Sequence, residues 1–193
     1  MTRKYSHPKY NKFRFDAGSL ALNFVATVRH RGAQPRDLLT TPEVLADWLK
    51  LTGCSKTVVL PSFHDFEKSI LLREAIYRTV RSFILNEAPD AIDVNCINDT
   101  AAYSLAVPQI EAVSYVVRWE SVHPIKACLA EIARDAINII GHIERNHLKM
   151  CDNHGCQMLF LDNSPANRRR WCAMSLCGNR EKVKMHRQQK KCA

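Results

Sequence analysis

The stretch CDNHGCQMLFLDNSPANRRRWCAMSLC (residues 151–177) contains two close cysteine pairs. Each pair encloses four residues, and fifteen residues separate one pair from the other. A four-thiolate zinc site places four sulfurs about 2.3 Å from one ion, and this pattern brings two sulfurs from each of two turns together. Four thiolates leave no open position for a catalytic water. We therefore predict one structural Zn2+ bound by Cys151, Cys156, Cys172 and Cys177.

Other interpretations of these cysteines are weaker. Disulfides require an oxidising compartment, whereas the chain shows no secretory pattern, and we expect a cytoplasmic protein. A redox pair would normally have the C-x-x-C spacing, which this sequence lacks. His154 lies inside the first pair and competes as a ligand, but the two symmetrical pairs favour four cysteines. The isolated residues Cys54, Cys96, Cys128 and Cys192 are expected to be ordinary thiols.

The residues around the cysteines predict a small zinc-stabilised fold. We expect a short strand after Cys156, a turn at residues 163–167 and a returning strand at RRRWC (residues 168–172). A helix should follow from about residue 175 to residue 190, with Cys177 in its first turn. This order of knuckle, hairpin and helix is a treble-clef-like zinc finger. It is too small for a core of its own, so metal binding should supply much of its folding free energy.

The predicted final helix carries a basic face. Arg180, Lys184, Arg187 and Lys191 lie at positions i, i+4, i+7 and i+11, which share one side of a helix. We expect Val183, with Leu176 before it, to turn toward the hairpin. The basic face suits phosphate contacts in a major groove of double-stranded DNA, and an asparagine near the helix start suits base reading. The candidate DNA-binding residues are Arg168, Arg169, Arg170, Asn179, Arg180, Lys182, Lys184, Arg187 and Lys191.

The positive charge of the chain is concentrated at its two ends. The net charge is +9, divided as +5 in residues 1–15, −2 in residues 16–150 and +6 in residues 151–193. This distribution is typical of a nucleic-acid-binding end joined to a different kind of domain, although a solvated basic tail would look the same. No apolar run approaches the roughly 20 residues that span a bilayer, so we expect no membrane partner.

The body of the chain predicts an α+β fold that is mainly helical and contains a small antiparallel sheet. Domain boundaries are expected at a basic N-terminal arm (residues 1–12), a helical body (13–146) and the finger with its basic helix (147–193). One body helix should begin at Pro42, after Thr41 as N-cap, and end near Gly53. The other predicted elements are helices at residues 18–30, 64–87, 91–104 and 123–142 and a hairpin at 108–120.

The body shows no catalytic motif that we can identify. A glycine-rich phosphate loop, G-x-S-x-G and H-E-x-x-H are all absent from the sequence. Five polar loop residues lie close together in the sequence and could line a polar pocket. Loop residues of this kind are, however, more often solvated or structural. We therefore expect a protein that is not an enzyme. The residues of this loop cluster are Asp16, Arg29, His30, Arg36 and Asp37.

The C-terminal segment resembles the CGNR zinc-finger family. The strings RRWC (residues 169–172) and CGNR (177–180) agree with the family in order and spacing, as do FLD (160–162), Ser164 and Lys182. The resemblance covers about the final 45 residues. It implies a zinc-binding and DNA-binding module whose ligands are the four cysteines of the two pairs.

The body resembles the ABATE domain that precedes many CGNR fingers. The resemblance covers about residues 13–145 and includes Leu22-Asn23-Phe24, the turn at residues 36–39 and Leu72-Arg73-Glu74-Ala75. The family commonly shows Asp-Phe-x-Asn-Thr where this chain has NFVAT (residues 23–27). The resemblance implies a stress-induced transcription regulator with an effector-sensing body. Its candidate effector-binding residues are Asn23, Thr27, Arg29, Arg36 and Asp37.

Two classes of function follow from these patterns. The first is a zinc-dependent, DNA-binding transcription regulator whose body binds a small-molecule effector or forms a homodimer. Effector binding would reorient the finger, because the last body helix leads almost directly into Cys151. The alternative is a zinc-stabilised protein-interaction module without nucleic-acid binding. RNA binding ranks lower because Trp171 is the sole aromatic residue beside the basic patch, and base stacking normally uses several.

Overall fold

A computed structural model describes residues 13–54, 59–142 and 145–190 of the chain, so the predicted arm at 1–12 and Lys191 lie outside it. Helices dominate the described residues, as the sequence predicts. The helices are α1 (Leu20–Val25), α2 (Pro42–Thr52), α3 (Phe63–Leu85), α4 (Ala91–Ala101), α5 (Pro124–His142) and α6 (Asn179–Gln189).

Three two-stranded antiparallel sheets complete the α+β fold within the described ranges. Strand β1 pairs with β2, β3 pairs with β4, and β5 pairs with β6. The predicted hairpin at residues 108–120 is confirmed as β3 and β4, and both of its strands are exposed to solvent. The strands are β1 (Val28–Arg29), β2 (Arg36–Asp37), β3 (Val107–Ile110), β4 (Val117–Glu120), β5 (Leu148–Met150) and β6 (Leu159–Leu161).

Local capping explains where the body helices begin and end. Helix α2 begins at Pro42 and is capped at its C-terminal end by Gly53, whose φ of 83° lies in the left-handed region that glycine adopts without strain. Ser62 caps α3, since its hydroxyl accepts a hydrogen bond from the amide of Asp65 at 3.1 Å. The Asp90 carboxylate caps α4 in the same way. The predicted positions of these helices are therefore confirmed.

The first helix is shorter than the sequence predicts. Helix α1 ends at Val25, whereas the predicted helix extends to residue 30. The Thr27 hydroxyl donates to the carbonyl of Phe24 at 2.6 Å, and the Thr27 carbonyl accepts from the amide of Leu38 at 3.0 Å. Because these bonds use the groups that another helical turn would need, the chain leaves the helix and enters β1.

Helix α3 lies at the centre of the body, where it packs against α1, α4 and α5. Trp48, Phe24 and Ile76 are fully buried in this core. The same core continues into the finger, where Leu159 and Phe160 of β6 are also fully buried. The finger therefore shares the hydrophobic core of the body, which removes the need for a core of its own. None of the described helices combines the length and apolar character needed to cross a bilayer.

Backbone contacts hold the finger against the body at close range. The amide of Leu161 in β6 donates to the carbonyl of Ala17 at 2.7 Å. Gly18 has a φ of 100°, and a Cβ atom there would lie 2.7 Å from the Cβ of Leu161. In the loop between β1 and β2, a Cβ atom on Gly32 would lie 1.7 Å from the carbonyl oxygen of His154. Glycine at these two positions lets the body backbone approach the finger.

Replacing Gly18 with alanine should weaken this docking more than backbone strain alone explains. Gly53 also has a positive φ, but a Cβ atom there would meet no other atom within 4 Å. We expect G53A to lower the free energy of unfolding by about 1 kcal/mol through left-handed strain. G18A should cost about 1–3 kcal/mol more, because it also overpacks the contact with Leu161. Urea denaturation of both variants measures the difference, and equal losses would contradict the close approach.

Candidate metal centre and nucleic-acid interface

The first cysteine pair lies in the turn of the β5–β6 hairpin. Cys151 directly follows β5, and its amide donates to the carbonyl of Met158 at 2.9 Å. The amide of Cys156 donates to the carbonyl of Asn153 at 2.8 Å, which closes the knuckle. These backbone bonds turn both sulfurs toward the interior, where both side chains are buried.

The partner of strand β6 differs from the sequence prediction. Residues 168–172 do not form a strand, and β6 pairs instead with β5, which precedes the first cysteine pair. The reason is the carboxylate of Asp162, which accepts hydrogen bonds from the amides of Ser164 and Arg169. These bonds fold residues 163–169 into a loop, so the chain turns away from β6 instead of running beside it.

The second cysteine pair leads directly into the final helix. Residues Met174–Gly178 form a π-helical turn, and the amides of Cys177 and Gly178 both donate to the carbonyl of Ala173. A Cβ atom on Gly178 would lie 2.4 Å from the Sδ of Met174, so a larger residue there would have to displace the Met174 side chain. Helix α6 begins at the next residue. The expected position of Cys177 at the start of the helical segment is therefore confirmed.

The four sulfurs have the spacing that a tetrahedral zinc ion requires. The Sγ atoms of Cys151, Cys156, Cys172 and Cys177 all lie within 4.8 Å of one another, and all four residues are buried. The Sγ of Cys172 lies 3.8 Å from that of Cys156 and 3.7 Å from that of Cys177. Zinc–sulfur bonds of about 2.3 Å in a tetrahedron separate the sulfurs by about 3.8 Å. The donor set therefore fits one structural Zn2+, and the exposed His154 is not part of it.

The surroundings favour the thiolate form of Cys172. Hydrogen bonds from the thiols of Cys151 and Cys156 lower the pKa of Cys172, and the neighbouring guanidinium of Arg14 lowers it further. Burial and the charge of Cys172 raise the pKa of Cys177 to about 12. Zinc binds cysteines as thiolates, and the positive charge of Arg14 favours this form at Cys172.

Asp162 is a buried carboxylate that organises the finger and that is missing from the site residues predicted from the sequence. It is 0% exposed and accepts from Lys149 Nζ at 2.7 Å and from the Ser164 hydroxyl at 2.7 Å. Burial alone would raise the pKa of Asp162, but the bonds from Lys149, Ser164 and the Arg169 amide outweigh it and hold the pKa well below its usual range. The sequence does contain a signal for this role. An aspartate side chain often binds the backbone two residues further on in a turn, and Ser164 lies two residues after Asp162.

The three consecutive arginines of the finger have different surroundings. Arg168 is exposed. Arg170 is exposed and pairs with Asp152 at 2.7 Å. Arg169 is half-buried, its guanidinium lies 4.7 Å from the centre of the Phe160 ring, and it donates to the carbonyl of Cys172. Arg169 therefore supports the finger from within, whereas Arg168 and Arg170 remain at the surface.

Helix α6 projects from the finger with none of its residues buried. Val183 is 51% exposed and Leu176 is 45% exposed, so the expectation that they turn toward the hairpin is wrong. The physical reason is that the contacts that hold α6 lie near its N-terminal end, in the π-helical turn that carries Cys177 and in the hydrogen bond from the Asn153 side chain to Glu181. Asn179 is exposed near the start of the helix. The exposed cations of α6 are Arg180, Lys182, Lys184 and Arg187.

Three of the predicted effector residues, Asn23, Thr27 and Asp37, form internal hydrogen bonds. The buried Arg73 donates to both carboxylate oxygens of Asp37, at 2.8 and 2.6 Å, and to the Thr27 hydroxyl at 3.2 Å. Asn23 accepts from the amide of Ala17. Arg29 and Arg36 lie opposite each other in the β1–β2 pair. The structure thus brings Thr27 and Asp37 together on Arg73, and a role for the five residues in binding an effector stays a prediction.

A helical body that carries a four-cysteine, treble-clef-like metal centre defines a zinc-finger protein. A family model for ABATE, described as "Putative stress-induced transcription regulator", matches residues 18–142. A second model, for the CGNR zinc finger, matches residues 147–190. The chain therefore belongs to the ABATE family and ends in a CGNR zinc finger, as both resemblances imply. A comparison with curated proteins finds no match to the chain.

Loss of one zinc ligand should remove the metal, whereas loss of an isolated cysteine should not. We expect purified protein to contain about one zinc ion per chain, and chelation to lower its thermal stability. C177S should lose most of its zinc because three sulfurs remain. C96S is the control, since Cys96 lies on α4 outside the sulfur cluster. Elemental analysis with thermal unfolding measures both, and full zinc content in C177S would contradict the proposed ligand set.

Loss of the Asp162 carboxylate should destabilise the finger strongly. D162N leaves the Lys149 ammonium without its buried counter-charge and should lower the free energy of unfolding by about 3 kcal/mol. D152N is the matched control, because it removes the exposed pair with Arg170 and should cost less than about 1 kcal/mol. Chemical denaturation at neutral pH in the presence of zinc compares the two variants, and similar losses would show that the Asp162 network does not organise the finger.

Proposed function

We propose that the chain is a zinc-dependent, DNA-binding transcription regulator and not an enzyme. The observation that carries the proposal is helix α6, which projects from the metal centre with an exposed cationic face. We place the protein in the cytoplasm, because a reducing compartment keeps four thiolates available for zinc. The ABATE description as a stress-induced regulator supports this choice of function.

The dimensions and charge of α6 suit a DNA groove. Eleven helical residues span about 16 Å, and an α-helix fits the major groove, which is about 12 Å wide. Eight basic residues and one acidic residue, Glu181, lie in residues 168–190. Glu181 accepts a hydrogen bond from the Asn153 amide at 3.0 Å, so its carboxylate is tied to the knuckle. The face formed by Arg180, Lys184 and Arg187 would then meet phosphates.

Removing two cations from this face should weaken DNA binding in a salt-dependent way. We expect R180A/K184A to lower affinity for random duplex DNA and to reduce the slope of log affinity against log salt by about two, since each phosphate contact contributes about 0.9. The measurement is fluorescence anisotropy across a salt series.

A double variant with the same change in charge controls for net charge. Lys50 on α2 and Arg81 on α3 are exposed and lie in the body. K50A/R81A should therefore bind DNA with an unchanged salt slope. The proposal fails if R180A/K184A binds as the wild type does, or if both double variants lose affinity equally.

For the body, we propose effector sensing or homodimer formation. A cleft of about 780 Å³ lies between the end of α4, the β3–β4 hairpin and the start of α5. Its volume is in the range of small-molecule sites, and Tyr103, His123 and Lys126 supply polar groups there. The cleft favours an effector position away from Thr27 and Asp37, whose side chains already bind Arg73.

A protein-interaction module is the second candidate function. The exposed apolar side chains of Leu176, Val183 and Met185 favour it, because a DNA-contacting helix does not need an apolar surface of this extent. Retention on heparin or immobilised random DNA across a salt gradient separates the two functions. Retention that is weak and insensitive to salt would support the protein partner, whereas retention that falls steeply with salt would support DNA.

A further inference from the structure

Arg14 of the body reaches the metal centre from outside the finger. Its Nη1 atom donates to the Sγ of Cys172 at 3.2 Å, across 158 positions of sequence. The opposite edge of the guanidinium donates to both carboxylate oxygens of Asp16, at 2.8 and 2.6 Å. The Arg14 side chain is only 12% exposed. The guanidinium is therefore fixed between one carboxylate and one cysteine sulfur.

The charge of a four-thiolate zinc centre explains why a cation belongs at this position. One Zn2+ and four thiolates carry a net charge of −2, which is costly in a buried site unless donors and cations surround it. An arginine guanidinium keeps its positive charge throughout the physiological pH range. The guanidinium thus stays charged beside the sulfur. A small cleft beside Arg14, Cys156 and Cys177 is also lined by Arg29 and Arg180, which add positive charge there.

The position of Arg14 also connects the metal centre to the docking of the finger. Arg14 precedes both matched family ranges, which begin at residues 18 and 147. Three residues further along the chain, the Ala17 carbonyl accepts from the amide of Leu161 in β6. The short segment from residue 14 to residue 18 therefore contacts the finger through a side chain at the sulfurs and through the backbone at the strand.

We propose that Arg14 is an outer-shell residue of the zinc centre, which donates an N–H···S hydrogen bond to the Cys172 thiolate and thereby links zinc binding to the docking of the finger on the body. Cys172 and the other three cysteines remain the ligands, and Arg14 is a positioning residue that acts through Cys172. This role belongs to the metal centre and does not depend on whether α6 binds DNA.

The first test is zinc affinity, measured in the full chain by competition with a chromophoric chelator. R14A should weaken zinc binding by about tenfold or more, the usual cost of losing an outer-shell partner. R78A is the matched control, because Arg78 on α3 makes the same two-bond contact with Asp93 on α4, outside the four-sulfur cluster. R78A should keep the wild-type affinity. An R14A affinity equal to that of the wild type, or an equal loss in R78A, overturns the proposal.

The second test reads the Cys172 bond directly and also serves if R14A does not fold. In protein loaded with Co2+ in place of zinc, the sulfur-to-cobalt charge-transfer band reports the electron density on the thiolates. R14K keeps the positive charge but loses the two-pronged contact with Asp16. We expect the band to move to lower energy in R14A and by a smaller amount in R14K, and to stay unchanged in R78A. The proposal is overturned if the band is unchanged in both R14K and R14A. It is also overturned if R14A does not fold and the band of R14K is unchanged.

Discussion

Four sulfur atoms within 4.8 Å of one another are the constraint on which the C-terminal part of this protein depends. Strand β5, the knuckle, the loop after Asp162 and the π-helical turn all meet at these sulfurs, and α6 has no other buried anchor among the described residues. An isolated helix of eleven residues is only marginally stable in water. The order of α6 therefore derives from its attachment at Cys177, and loss of the metal would remove that attachment.

The metal centre and the body depend on each other. Phe160 and Leu159 complete the core that α3 organises, while Arg14 approaches Cys172 and Ala17 binds Leu161. A finger that swung freely away from the body would expose these aromatic and aliphatic side chains to water, at about 25 cal/mol for each Å² of apolar surface. Under the proposed function, an effector signal would therefore reach α6 through small adjustments at this shared interface and not through a large rotation of the finger.

The sequence predicts the local parts of the fold and of the site. The zinc ligands could be predicted because the two cysteines of each pair lie close together in the sequence. Helix caps and the spacing of apolar residues predict α2, α3 and the β3–β4 hairpin. Long-range contacts account for the differences. The bond between Thr27 and Leu38 shortens α1, and the Asp162 carboxylate decides the partner of β6 by folding the following loop. Arg14 lies 158 positions from its sulfur partner, and its neighbours suggest nothing more than an ion pair with Asp16.

Among the described residues, several arginines of the body pair with carboxylates, whereas the exposed cations of α6 do not. Arg14, Arg31, Arg73 and Arg78 each bind a carboxylate through two nitrogens or through several partners. Within the part of the chain that the structure describes, no such ion pair involves the cations of α6. The single acid of that helix, Glu181, contacts the knuckle instead of the cationic face. Helix α6 is held at one end, and these cations have no carboxylate partner among the described residues. They are therefore available to bind an anionic surface, and a DNA duplex offers regularly spaced phosphates to several of these cations at once.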